Sequence, residues 1–168
     1  MHIETERKYI VRLPDFEALA SLPGYSKSDI EQIYLPSEPG QTRRIRRRTH
    51  TDKTVYTKTV KTRISPMSAY EDEHEITEQE YMELRKGRDR SHHVVNKQRY
   101  TFIYKNTLFE LDVYPFWKRT CLLECELRNE KVIVELPPFL RIVKDVTGER
   151  RYSNASIAKT IPSEESVS

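Results

Sequence analysis

Charged residues recur two positions apart in several segments of the chain, and each segment carries one sign of charge. These clusters are Glu4/Glu6, Arg44/Arg46/Arg48, Glu71/Glu73/Glu75, Lys97/Arg99, Glu110/Asp112 and Glu124/Glu126. Carboxylates are the hard oxygen ligands that Mg²⁺ and Mn²⁺ prefer, and arginine side chains pair bidentately with phosphate oxygens. The residue types therefore indicate a site for a phosphate-rich anion together with a divalent metal.

A spacing of two places side chains on one face of a β-strand. In one such strand, Phe109 and Leu111 alternate with Glu110 and Asp112. A sandwich with solvated charged faces would explain this alternation. The segregation of sign argues against it, because like charges two positions apart repel unless an opposite charge lies between them. A closed barrel with inward charged faces would instead enclose a lumen suited to a triphosphate and its metal. The pattern alone leaves both arrangements open.

The segments that carry the charges are short and follow one another closely. Period-two patterns predict strands at 3–11, 30–35, 42–49, 54–61, 69–76, 94–104, 108–114 and 120–127. Helices are predicted at 16–22, at 77–85 with a Thr77/Glu80 capping box, and at 153–159, with a turn-helix segment at 139–143. Many short antiparallel strands with few helices favour a barrel or a sandwich.

Length and composition set further limits. The 168 residues fit one domain, which we place at 1–161, and the polar segment 162–168 is predicted to be disordered. No apolar run approaches the length of a membrane span, so we expect a cytoplasmic protein with no membrane partner. The basic run 43–48 would divide between two strand faces and contains no aromatic platform, so we expect no nucleic-acid partner.

The first cluster also resembles a known signature. Glu4-Thr5-Glu6-Arg7-Lys8 is similar to the Glu-x-Glu-x-Lys motif of the CYTH family, the triphosphate tunnel metalloenzymes, which includes inorganic triphosphatases, thiamine triphosphatases and class IV adenylyl cyclases. Further matches follow in family order at 31–35, 44–46, 59–61, 71–76, 97–100, 111–112, 124–126 and 146–154. The resemblance implies an α+β fold, a closed eight-stranded antiparallel β-barrel with a few peripheral helices.

The resemblance also implies roles for individual residues. Mg²⁺ or Mn²⁺ would be bound by Glu4, Glu6, Asp112, Glu124 and Glu126. Phosphates would be bound by Lys8, Arg44, Arg46, Lys61, Lys97, Arg99 and Arg151. Catalysis would depend on Glu6, Lys8 and Glu73, with Glu71 as a further acidic wall residue. Tyr70 departs from the pattern, since many relatives have a basic residue there, and this leaves the substrate preference open.

The expected function is metal-dependent hydrolysis of a small-molecule triphosphate. Inorganic triphosphate, cleaved to pyrophosphate and phosphate, is the leading substrate, and we expect a monomer or a homodimer. A class IV adenylyl cyclase, a thiamine or nucleoside triphosphatase, and a non-catalytic polyphosphate-binding module are the alternatives. The cyclase and the organic triphosphatases need a pocket for the organic group, which the sequence does not identify.

Overall fold

The computed structural model describes residues 2–165. The elements are, in chain order, β1 (His2–Arg12), α1 (Phe16–Ala20), β2 (Ser26–Leu35), β3 (Gln41–His50), β4 (Lys53–Arg63), β5 (Ser68–Ile76), α2 (Glu78–Arg85), β6 (Val95–Tyr104), β7 (Thr107–Val113), β8 (Thr120–Glu126), β9 (Ile142–Asp145), a 3₁₀ turn (Arg150–Tyr152) and α3 (Asn154–Lys159).

Eight antiparallel strands close into a barrel. Their order around it is β5-β4-β3-β2-β6-β7-β8-β1, and pairing between β1 and β5 completes the circle. Only the first part of β1, from His2 to Thr5, pairs with β5. The short strand β9 joins β1 further along, at Tyr9–Val11. The predicted eight-stranded barrel with a few helices is confirmed.

Apolar clusters cover parts of the outside of the barrel and one end of its interior. On the outer faces of β6 and β7, Phe102 and Phe109 belong to one core cluster with Leu19 of α1. Tyr81 of α2 packs against the outer faces of β2 and β3. A third cluster contains Ile10, Tyr34, Val95 and Leu122, which alternate in sequence with outward-facing residues, together with Ile157 and Ala158 of α3. The C-terminal segment therefore packs against inward-facing residues at one end of the barrel.

The predicted elements are mostly observed, and the exceptions have physical causes. The Thr77/Glu80 capping box is present at the start of α2. The predicted turn-helix at 139–143 is wrong, because the backbone turns at Pro137–Leu140 and then pairs with the edge of β1 as β9. Strand β2 begins at Ser26, four residues earlier than predicted, because the polar segment 26–29 pairs with β6.

The segment predicted to be disordered, 162–168, lies partly within the described residues. The indole Nε1 of Trp117 donates to the carbonyl of Pro162 at 3.0 Å. Glu164 Oε2 accepts hydrogen bonds from the backbone N–H groups of Arg119 and Thr120. Residues 166–168 lie outside the described residues. Within residues 2–165, no helix is both long and apolar enough to cross a membrane.

Candidate active site in the barrel lumen

A cavity of about 330 Å³ lies inside the barrel, and all eight strands of the closed barrel contribute to its wall. Its charged lining residues are Glu4, Glu6, Lys8, Arg44, Arg46, Arg48, Lys61, Arg63, Glu71, Glu73, Arg99, Glu110, Glu124, Glu126 and Arg150. The same-sign clusters therefore face inward, and the sandwich interpretation is wrong.

Three arginines of β3 form a row along one wall of the cavity. Arg46 donates through Nε and Nη2 to Gln32 Oε1, at 3.0 and 2.6 Å, and Arg48 Nε donates to Ser28 Oγ at 2.9 Å. Arg44 Nε is buried without a hydrogen-bond partner. Burial, together with the nearby Arg44 and Arg99, lowers the pKa of Arg46 to about 9.

Within residues 2–165, none of these three arginines has a carboxylate oxygen within 4.0 Å. Three neighbouring guanidinium groups that make no direct contact with a carboxylate repel one another in a partly buried site. This row, which we call the arginine row (Arg44, Arg46 and Arg48), is suited to binding an anion with several oxygens.

A carboxylate cluster lies on β1 and β8. Glu6 pairs in register with Glu126, and Lys8 pairs with Glu124. Glu4 Oε2 and Glu124 Oε1 are buried and lack a hydrogen bond of good geometry, although lysine Nζ atoms lie 2.8 and 3.3 Å away. Burial and the nearby Glu124 and Glu4 raise the pKa of Glu6 well above its usual range. Against the effect of burial, Lys61 and Lys8 instead lower the pKa of Glu4 and of Glu124, so Glu6 is the member of this cluster whose charge is least compensated.

The donor set fits a hard divalent cation. It consists of carboxylate oxygens, two of them buried without hydrogen bonds, and an added cation would relieve the repulsion that raises the pKa of Glu6. Within residues 2–165, no three His, Cys, Asp or Glu side chains already converge as metal ligands. Lys61 and Lys8 instead occupy the neighbourhood of Glu4 and Glu124.

The acidic residues of β5 are held in two different ways. Lys61 Nζ lies 3.4 Å from Glu71 Oε2 as well as 2.8 Å from Glu4 Oε2. Burial and a hydrogen bond with Glu4 raise the pKa of Glu71 to about 7. Thr59 Oγ1 donates to Glu73 Oε1 at 2.6 Å. Burial opposes ionisation of Glu73, but this hydrogen bond and Arg44 hold its pKa below the usual value. Glu73 is therefore a carboxylate at neutral pH.

Asp112 accepts from two basic residues of β6. Arg99 donates through Nε to Oδ1 at 2.7 Å and through Nη2 to Oδ2 at 2.9 Å, and Lys97 Nζ lies 2.7 Å from Oδ2. Arg99 lines the cavity, whereas Lys97 and Asp112 are buried and do not line it. The phosphate role of Lys97 and the metal role of Asp112 stay predictions, and their positions favour support of Arg99.

The C-terminal segment adds residues that sequence reasoning missed. Arg151, the predicted phosphate ligand, lies over the ring of Tyr152 at 4.8 Å, with Glu149 and Glu165 near its guanidinium. Its neighbour Arg150 lines the cavity instead. Strand alternation could not choose between them, because both lie in a 3₁₀ turn. Arg48 was predicted to share the charged face of Arg44 and Arg46 but was given no phosphate role, and it lines the cavity with them.

Comparison with known proteins supports the fold. Neither a family model nor a curated protein matches the sequence significantly. The solved structure of the inorganic triphosphatase NE1496 is similar, with 26% identity and a TM-score of 0.57, over 96% of this chain and 98% of that one. The PH1819 protein from Pyrococcus horikoshii has 22% identity and a TM-score of 0.59, over 76% and 80%.

A third similar structure is HpAC1 from Hippeastrum, a candidate adenylyl cyclase with a dominant triphosphatase activity. It has 16% identity and a TM-score of 0.53, over 74% of this chain and 80% of that one. At these identities the second and third structures show the shared fold alone. The chain has the triphosphate tunnel fold.

Proposed function

We propose that the protein is a divalent-metal-dependent phosphoanhydride hydrolase that cleaves inorganic triphosphate to pyrophosphate and phosphate inside the barrel. The observation that carries this proposal is that the arginine row and the carboxylates of β1 and β8 line the same lumen. Within residues 2–165, no carboxylate oxygen lies within 4.0 Å of the arginine row, and on β1 the burial of Glu6 beside Glu4 and Glu124 raises its pKa. A linear polyanion with a bound divalent cation would complete both clusters.

The composition of the lining favours an inorganic substrate. Tyr34 is the one aromatic residue among the described residues that line the cavity, and the apolar lining is limited to Gly40, Ala69 and Ala155. A pocket for a nucleobase or a thiamine ring would need apolar or aromatic surface. The likeness to an inorganic triphosphatase points in the same direction.

The same reasoning supports a divalent metal at the carboxylates of β1 and β8. Glu4, Glu6 and Glu124 would hold Mg²⁺ or Mn²⁺. The bound ion would neutralise negative charge on the phosphate oxygens. Glu126 is half-exposed and pairs with His2, so it would contribute from the rim of the lumen. Lys8, Lys61 and the arginine row would bind the remaining phosphate oxygens.

Hydrolysis requires in-line attack by water on a terminal phosphorus. The water oxygen forms a bond to phosphorus, the bridging P–O bond breaks, and pyrophosphate leaves with the electron pair. Glu73 is ionised and held by Thr59, so it can orient the water and accept its proton. The arginine row and Lys8 would stabilise the charge that develops on the leaving oxygen, which is the main catalytic contribution expected here.

One panel tests the proposal. Purified protein is incubated with Mg²⁺ or Mn²⁺ and, separately, tripolyphosphate, ATP or thiamine triphosphate, and phosphate, pyrophosphate and cyclic AMP are measured. We expect tripolyphosphate to be cleaved with the highest kcat/KM, and EDTA to abolish the reaction. Cyclic AMP from ATP would identify a cyclase instead. Preference for thiamine triphosphate would identify an organic triphosphatase, and binding without turnover would identify a polyphosphate-binding module.

A further inference from the structure

A hydrogen-bond chain runs from Asn154, a part-buried residue that lines the cavity, through buried residues to Arg99. Asn154, the first residue of α3, accepts at Oδ1 from Lys97 Nζ at 3.1 Å and from the hydroxyl of Tyr114. Lys97 continues the chain to Asp112 Oδ2, and both oxygens of Asp112 accept from Arg99. The chain therefore runs from Asn154 through Lys97 and Asp112 to Arg99.

We propose that Asn154 is a positioning residue that holds Lys97 and Asp112 in place and thereby fixes the Arg99 guanidinium at the cavity wall. The effect on catalysis rests on the proposed triphosphatase function. The effect on the orientation of Arg99 does not.

The reason lies in the number of acceptors around Lys97. Its ammonium has three donors, and its side chain has no exposed surface, so water cannot serve as a substitute acceptor. Its acceptors in the chain are Asp112 Oδ2 and Asn154 Oδ1, and the ring of Tyr114 lies 5.8 Å away. Without the Asn154 acceptor, Asp112 would be the remaining acceptor of this chain for the Lys97 ammonium, and the two groups would move closer together.

Asp112 has little capacity to satisfy a further donor without moving. Its two oxygens already accept the two parallel hydrogen bonds of Arg99, at 2.7 and 2.9 Å. A shift of the carboxylate toward Lys97 would distort that pair, and planar bidentate contacts tolerate little displacement. Arg99 would then keep mainly its contact with Glu110, at 2.9 Å, which lies nearer the rim of the lumen.

The test compares Asn154→Leu with Asn154→Asp. Leucine has a similar volume but cannot accept a hydrogen bond, whereas aspartate keeps an oxygen acceptor for both donors. With tripolyphosphate and Mg²⁺, we expect Asn154→Leu to raise KM roughly tenfold with a smaller change in kcat. Asn154→Asp should stay within about twofold of the wild type. Tyr114→Phe should also stay within about twofold, which separates the Lys97 route from the Tyr114 contact.

A second readout needs no substrate. The solvent exchange of the Arg99 Nε–H is measured by NMR, with the resonance assigned from Arg99→Lys. We expect roughly tenfold faster exchange in Asn154→Leu and wild-type exchange in Asn154→Asp. If wild-type protein fails to cleave tripolyphosphate, the proposed function fails, and this exchange rate still decides the role of Asn154.

Three results would overturn the inference: unchanged exchange in Asn154→Leu, an equal loss in Asn154→Asp, or an equal loss in Tyr114→Phe. If Asn154→Leu does not fold, the Lys97→Met background removes the unsatisfied ammonium. In that background, adding Asn154→Leu should change neither KM nor Arg99 exchange further. A further tenfold change would show that Asn154 acts by another route.

Discussion

Adjacent arginines of β3 differ sharply in their surroundings. Arg46 is buried in the lumen and is held by Gln32, whereas Arg47 faces outward, is 43% exposed in its side chain and pairs with Glu31 at 3.3 Å. The two residues have the same chemistry and differ by one position, so strand alternation alone separates their roles. They provide a matched test of the inward charged face.

We predict that Arg46→Lys lowers kcat/KM for tripolyphosphate by about 10- to 100-fold. Lysine keeps the positive charge but loses the planar pair of donors that can bind two phosphate oxygens. Arg47→Lys should leave kcat/KM within about twofold. Steady-state kinetics with Mg²⁺ in excess measures both variants. Equal effects of the two substitutions would contradict the placement of the substrate in the lumen.

At the level of elements, one carboxylate holds α2 against the outer wall. Glu31 of β2 accepts from the Tyr81 hydroxyl at 2.7 Å and from Arg85 Nη1, both in α2, and from Arg47 Nη2 at 3.3 Å. Burial opposes the charged form, but Tyr81 and the two arginines hold the pKa of Glu31 below its usual value. The helix is therefore attached by a charged contact as well as by apolar packing.

This attachment predicts a pH dependence of stability. Because the folded pKa of Glu31 is lowered, the unfolded chain binds more protons as the pH falls below about 4.5. The stabilisation is complete above that pH and is lost as the pH falls through the folded pKa. Glu31→Gln should lower the free energy of unfolding by about 1 kcal/mol at pH 7, after allowance for solvent screening. The difference from wild type should shrink toward pH 3.

Urea unfolding at pH 7 and pH 3.5 measures this prediction. Glu83→Gln is the matched control, since Glu83 lies on the exposed face of the same helix and pairs only with Lys86 three residues away in the described structure. It should change the stability by less than about 0.5 kcal/mol at both pH values. A Glu31→Gln deficit that is as large at pH 3.5 as at pH 7 would argue against an ionic attachment.

Most strands could be predicted from the sequence, because alternation and turns are local properties. The inward direction of the charges was supported by sign segregation and the family resemblance. The pairing of Asp112 with Arg99 could not be predicted, since it depends on the register between β6 and β7. Strand β9 was missed because a four-residue strand forms only where β1 offers a free edge.

At the scale of the whole molecule, the fold brings several carboxylates close together in the lumen. The barrel closes around Glu4, Glu6 and Glu124, and burial together with the neighbouring carboxylates raises the pKa of Glu6. Functional sites often reduce the stability of the fold that contains them. Here the energetic cost should be removed when a divalent cation binds, since an ion that binds only the folded state stabilises it.

The final prediction separates this cost from the metal site. In EDTA at pH 8, Glu6→Gln should raise the free energy of unfolding by about 1 kcal/mol, because it removes one of the mutually repelling carboxylates. With Mg²⁺ at about 100 times its Kd, wild type should gain about 2.7 kcal/mol. Glu6→Gln should gain much less, so the order of stability should reverse.

Glu135→Gln, at an exposed carboxylate paired with Lys105, should follow wild type in both buffers. Urea titrations in the two buffers decide the matter, and a Glu6→Gln variant that gains as much from Mg²⁺ as wild type would remove Glu6 from the metal site.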